Sequence, residues 1–196
     1  MIEEIRTARR EAYELGMPEL PFNETVIMFQ DEARFGRINS PNSCWVKGER
    51  PTVYSQIVRE YTYAYAYAYV RPFDGTMDSL ILPWVFVSAM NVFLAEVAKR
   101  HNDKYILMFL DQAGWHKAKE LNIPPNIRLA PLPAYSPELN PAEHIWDELR
   151  EKYFHNLTFD SIGAVEDQLE VGLRDLENNK LLVQSTTGFN WIISCV

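Results

Sequence analysis

From Tyr61 to Val70 the chain reads YTYAYAYAYV, with five tyrosines alternating with Thr, Ala or Val at a strict period of two. Side chains in an extended strand point alternately to opposite faces, so this tract is a strand with all five rings on one side. A packed sheet face is the plain reading. The other is a platform on which nucleobases stack.

Around this strand the apolar pattern places further elements. The run TVIMFQ after Glu24 reads as a short buried strand ending on Asp31 and Glu32, and KYILMFL from Lys104 to Leu110 as a second one ending on Asp111. Between them lie a hairpin or long loop from Gly36 to Pro51, an apolar stretch after Asp74 and Gly75 that runs to Val87, and a helix from Ser88 to Arg100. A short helix around Lys117 to Leu121, a strand at Ile127 to Leu132, a helix from Pro141 to about Phe154 and helical residues 159–184 follow. Residues 1–22 have few apolar positions and read as a helical arm or linker, leaving 23–196 as the domain. Strands followed by alternating β and α elements define an α/β fold, a mixed sheet flanked by helices.

With 196 residues, 47% of them hydrophobic, the chain can bury one sizeable core. Its longest apolar run, Leu80 to Val87 with Pro83 inside, is far short of the roughly 20 residues a membrane span needs, so a cytoplasmic protein is expected. Cys44 and Cys195 form no CxxC pair and suggest neither zinc nor a disulfide framework. The net charge of -8 argues against generic nucleic-acid binding. That charge is uneven: Ala33 to Glu60 carries five basic and two acidic residues, whereas Tyr135 to Lys180 carries eleven acidic and four basic ones. A basic face in the front half is compatible with a DNA partner.

The chemistry rests on carboxylates. Asp31 and Asp111 follow buried strands that a sheet could set side by side, although either could simply cap a turn through its own backbone. In SPELNPAEHIWDEL, Asn140 can cap a helix with Pro141 first and Glu143 third. Glu143 then either reaches back as half of a capping box or faces the two aspartates. Three converging carboxylates suit Mg²⁺ or Mn²⁺, and a two-metal site built from them can activate a hydroxyl and stabilise a leaving oxygen.

The segments FQDEARF, ILMFLDQAGWHKA and APLPAYSPELNPAEHIWDELR resemble the three signature blocks of the mariner-like DDE transposases, in particular the bacterial insertion-sequence branch. The resemblance spans roughly residues 24 to 190. It implies a ribonuclease H-like mixed five-stranded sheet flanked by helices, with Asp31, Asp111 and Glu143 as the catalytic metal-binding triad for Mg²⁺ or Mn²⁺. It further implies DNA cleavage followed by strand transfer on transposon ends and target DNA, in a bacterial cytoplasm and on the nucleoid. His116, five residues after Asp111, stands where the family has a histidine near the site, and reads as a hydrogen-bonding neighbour of the ligands rather than a ligand, as does Asn140. Trp45, Lys47, Arg50, Lys117 and Lys119 are candidate DNA contacts or ordinary solvated surface. A homodimer is a further expectation, and the family's helix-turn-helix domain is expected to be lost or supplied by another chain.

Three other readings stay open. A ribonuclease H-like nuclease would share the triad without strand transfer, and an idle remnant would serve only as a binding module. A glycosidase, more remotely, uses two acids about 5 to 9.5 Å apart and no metal.

Overall fold

The computed structural model describes residues 3, 4, 6, 7, 10, 25–37, 47–49 and 60–194. The first strand, β1 (Thr25–Gly36), pairs antiparallel with the tyrosine strand β2 (Tyr63–Arg71), which pairs antiparallel with β3 (Thr76–Leu82). On its other side β1 runs parallel to β4 (Tyr105–Leu110), and β4 runs parallel to β5 (Ile127–Pro131). The result is one five-stranded sheet in the order β3-β2-β1-β4-β5. Its two central strands, β1 and β4, are covered on both faces and are almost continuously apolar up to their carboxylates, as strands buried on both sides must be.

Helix α1 (Val87–Arg100) crosses one face and packs Met90, Phe93, Leu94 and Val97 against Tyr67, Tyr69, Met28 and Met108. The opposite face is covered by α2 (Glu143–Tyr153), α3 (Ile162–Asn178), α4 (Lys180–Thr187) and α5 (Asn190–Ile193). There the small residues of β2, Ala64, Ala66 and Ala68, share a core with Phe29, Trp146, Leu149, Leu169 and Leu173. The tyrosine stripe is thus a packed face at its β1-centred end, where Tyr67 and Tyr69 are fully buried; Tyr63 and Tyr65 are half-buried, and Tyr61 precedes the strand and is exposed.

Three elements differ from their sequence expectation. The strand expected to end on Asp31 and Glu32 continues to Gly36, because β2 pairs with it along the whole of Phe29 to Gly36. The helix expected at Lys117 to Leu121 is a 3₁₀ turn at Gly114–Lys117. The helical stretch 159–184 breaks at Asn179, which ends α3 and whose Oδ1 accepts from Leu182 N at 3.2 Å to start α4. The α4 start lies so close to the β2–β3 turn that a Cβ on Gly75, at φ +68, would stand 1.9 Å from Lys180 O. Most of the loop expected over Gly36 to Pro51 lies outside the described residues, as does most of the 1–22 arm, although Glu4 is described and forms an ion pair with Arg128 of β5 at 2.9 Å.

Candidate active site

Parallel pairing of β1 with β4 is what brings the first two carboxylates together. Continuing the register Phe29↔Phe109 by two residues sets Asp31, inside β1, beside Asp111, the residue that follows β4. Glu143 is the first residue of α2. All three line one cleft of about 450 Å³, together with Gln112, Lys117, Tyr135 and Asn140.

The helix start differs in detail from a standard cap. The chain enters α2 through a 3₁₀-type turn, with Glu143 N donating to Asn140 O at 3.1 Å and His144 N to Pro141 O at 3.3 Å. The backbone N–H of Asn140 donates to Pro137 O at 2.9 Å, so Glu143 has no free N–H to reach back to and no capping box forms. Buried Asn140 instead ties the turn to the sheet: its Nδ2 donates to Gln30 O at 3.0 Å and its Oδ1 accepts from Ala142 N at 3.2 Å.

Asp31 is buried and accepts a hydrogen bond from Trp146 Nε1 at 2.7 Å. Burial, and then the charge of Glu143, hold its pKa well above the usual carboxylate range; the Trp146 bond opposes them, and Glu32 and Asp111 add to the rise. Glu143 is also raised, by burial first, with Arg150 opposing and Asp147 and Asp111 contributing. Asp111 is held low, chiefly by its hydrogen bond from His116, against its partial burial and with help from Ala113 N at 2.9 Å. That last bond is the turn-capping role considered for this aspartate, and it coexists with facing the cleft.

His116 is buried between two carboxylates, with Nδ1 2.8 Å from Asp111 Oδ1 and Nε2 2.9 Å from Glu32 Oε1. Burial works against its charge, but the two hydrogen bonds outweigh burial and its pKa is pushed up to about 9. With an acceptor at each ring nitrogen, the imidazole serves as a double donor, which only the protonated ring can be.

Among the described residues, no three His, Cys, Asp or Glu side chains already close on one point at ligand spacing. The donor set nevertheless fits a hard divalent cation: three carboxylates border one cleft, and each of Asp31 and Glu143 is made harder to ionise by its acidic neighbours, which a cation between them would reverse.

Of the candidate DNA contacts, Lys117 is exposed on the cleft and Lys119 and Lys47 are exposed, whereas Trp45 and Arg50 lie outside the described residues. Three residues near the carboxylates were not singled out from the sequence. Trp146 stands three residues after Glu143 on one helix, and its buried indole N–H, which requires an acceptor, finds it in the carboxylate of Asp31. Glu32 is legible from strand alternation, which turns it to the face opposite Asp31. Tyr135, at φ 57 and fully exposed, stands at the cleft mouth with no sequence signal beyond its Pro-rich loop.

Fold and cleft together define a class: a ribonuclease H-like domain with acidic residues on adjacent parallel strands and a helix start. A profile of the DDE superfamily endonuclease family matches residues 26–166, and the chain belongs to that family. An uncharacterized protein of Sinorhizobium fredii, y4pE/y4sA, is 40% identical over 98 residues, which cover 50% of this chain and 73% of that protein. Among solved structures, the Mos1 transposase paired-end complex with left transposon end aligns at a TM-score of 0.53 and 16% identity over 95% of this chain and 62% of that one. The mariner Mos1 paired end complex with Mg aligns at 0.54 and 17% identity, over 94% of this chain and 63% of that one. The catalytic domain of Mos1 mariner transposase aligns at 0.51 and 13% identity, over 95% of this chain and 94% of that one. At these identities the likeness speaks to fold, and the chain spans less than two thirds of the Mos1 chains in the complexes.

Proposed function

We propose that this domain catalyses DNA phosphodiester cleavage and strand transfer at the ends of a mobile element, with Asp31, Asp111 and Glu143 holding Mg²⁺ or Mn²⁺. The observation that carries this reading is the placement of the three carboxylates on one cleft at the junction of β1, β4 and α2. Trp146 occupies Oδ2 of Asp31, and His116 and Ala113 occupy Oδ1 of Asp111, which fixes both groups and leaves the second oxygen of each for a ligand. A divalent metal held by Asp31, Asp111 and Glu143 would supply the charge that activates an attacking hydroxyl and stabilises the leaving oxygen. Lys117 and Tyr135, on the cleft, offer a cation for phosphate and an exposed ring for a base; Lys47, Lys119, Trp45 and Arg50 are further candidates by residue type alone.

The net charge of -8 makes non-specific affinity weak, so stable engagement of element ends draws on a helix-turn-helix module in another chain or segment. A homodimer, with two copies acting on two element ends, is part of this reading. No helix among the described residues is long and apolar enough to cross a membrane, and the work proposed belongs on cytoplasmic DNA, at the bacterial nucleoid.

Supercoiled plasmid incubated with the protein, a short duplex bearing a free 3′-hydroxyl, and Mg²⁺ or Mn²⁺ tests this. Nicked plasmid together with joined duplex–plasmid product is expected, with both lost in Asp111→Asn and in chelator. Nicking without joining would favour the nuclease reading. Inertness of the wild type, or full activity of Asp111→Asn, overturns the site assignment.

A further inference from the structure

Glu32 has no part in the triad, yet it is placed and partnered as though the site depended on it. It follows Asp31 in β1 and turns to the opposite face of the sheet. Its side chain is only 7% exposed, and a buried carboxylate must find donors. Among the described residues it has two, both from the segment after β4: His116 Nε2 at 2.9 Å and Trp115 Nε1 at 3.2 Å, both on Oε1. The far nitrogen of the same ring, Nδ1, meets Asp111 Oδ1 at 2.8 Å and Asp111 O at 3.2 Å. Asp111 by contrast has a side chain 57% exposed, sits beyond the last residue of its strand, and is held by the turn bond from Ala113 besides its contact with His116.

We propose that Glu32 is a positioning residue: by anchoring His116 and Trp115 to the rigid centre of β1 it fixes the orientation of Asp111 toward the metal cleft. The inference rests on the reading of Asp111 as a metal ligand. Physically, a carboxylate at a strand end would swing about its side-chain torsions, and a ligand must already be oriented if affinity is not to be lost to ordering it. The route runs from the interior of one central strand, through a buried ring clamped at both nitrogens, to the open end of the next. Trp115 closes the clamp, because its indole N–H on the same Glu32 oxygen and its ring 5.7 Å from that of His116 restrict how the imidazole can tilt.

Glu32→Gln keeps the shape and removes the charge, and two readouts follow its effect. In metal-free protein, the Asp111 side-chain carboxyl carbon and the His116 ring nitrogens are followed by NMR. In parallel, Mn²⁺ affinity is measured by calorimetry for wild type, Glu32→Gln, His116→Gln and the double variant. Glu32→Gln is expected to move both NMR signals with the remaining spectrum unchanged, and to weaken Mn²⁺ binding by about 10–100-fold. Because Glu32 acts through His116, the double variant is expected to bind no worse than His116→Gln alone.

An unmoved Asp111 signal, unchanged Mn²⁺ affinity, or additive losses in the double variant overturn the inference. A wild type that ignores Mn²⁺ while Glu32→Gln still moves the Asp111 signal refutes the metal reading and upholds the positioning contact. Should Glu32→Gln fail to fold, Trp115→Phe removes one donor from the clamp with little change of shape; a shift of the Asp111 signal there supports the proposal and its absence refutes it.

Discussion

Asp31 is a costly residue for the fold. It is buried, beside acidic neighbours, with Trp146 as its hydrogen-bond donor. An ionised carboxylate in such a place lowers the stability of the metal-free protein, so Asp31→Asn, whose amide oxygen can still accept from Trp146, is expected to raise that stability by about 1 kcal/mol. In a chain of this length the gain appears as about 2–4 °C in Tm. The same variant should gain nothing from Mn²⁺, whereas the wild type at a hundredfold excess over Kd should gain about 2.7 kcal/mol. A melting scan with and without metal checks both; a lower metal-free Tm for Asp31→Asn would contradict the account. Trp146→Phe acts in the opposite direction. Removing the donor to a buried charge should cost about 1.5–3 kcal/mol in urea unfolding, beyond any loss of packing. The sequence could yield Asp31 and Asp111 as candidates because carboxylates after apolar runs stand out, and Glu143 because it falls at a helix start, while the resemblance joined the three as a triad. It could not yield Trp146 as the partner of Asp31, a contact 115 residues away along the chain, and although the family resemblance pointed to His116 as a hydrogen-bonding neighbour, it gave no sign of its second carboxylate, Glu32, 84 residues away.

The elements were legible where periodicity was strong. The strict alternation of Tyr63 to Tyr69 and the unbroken apolar run of Tyr105 to Leu110 lead directly to β2 and β4. Periodicity fell short where tertiary pairing decides: the strand expected to end on Asp31 and Glu32 is held in the ladder by β2 as far as Gly36, with the Glu32 side chain 7% exposed and Arg34 over the Tyr63 ring at 5.1 Å. Asn179 reads as one more helical residue, but it breaks the helix so that α4 can fold back onto the sheet. That docking leaves no room at Gly75, so Gly75→Ala, with a positive φ and Lys180 O in the way, is expected to cost about 2 kcal/mol or more, measured by thermal or urea unfolding. Near the same end of β2, Tyr69 OH donates to Asp78 and meets His101 Nε2 at 2.5 Å. Burial keeps the His101 pKa below its ordinary value, Asp78 and Asp103 opposing and Arg71 and Arg100 assisting. The unfolded chain therefore takes up the proton first. The contribution of neutral His101 is present above about pH 6.5 and is lost as pH falls through the lower folded value. The Tm advantage of wild type over His101→Gln should accordingly shrink between pH 8 and pH 5.5; an advantage that grows on acidification would contradict this.

At the scale of the whole molecule, the sheet order and the two-sided helix cover, a fold shared with the Mos1 transposase catalytic domain, explain why the site falls where it does. Parallel pairing of β1 and β4 juxtaposes two carboxylates, and the Asn140 bridge to Gln30 delivers the first turn of α2 to the same point. Severing that bridge with Asn140→Ala is expected to weaken metal binding together with stability, since Glu143 loses its fixed approach. Fold class was accessible from the sequence because it depends on element order. The cleft was not, because its walls come from segments as far apart as Asp31 and Glu143. The most direct test of the central claim is a calorimetric titration of Mn²⁺ into the wild type and into Asp31→Asn, Asp111→Asn and Glu143→Gln. Saturable binding by the wild type, and its loss in each of the three folded variants, is the expected result. Binding that survives any of these substitutions undiminished, or a wild type that binds no metal, would contradict the account.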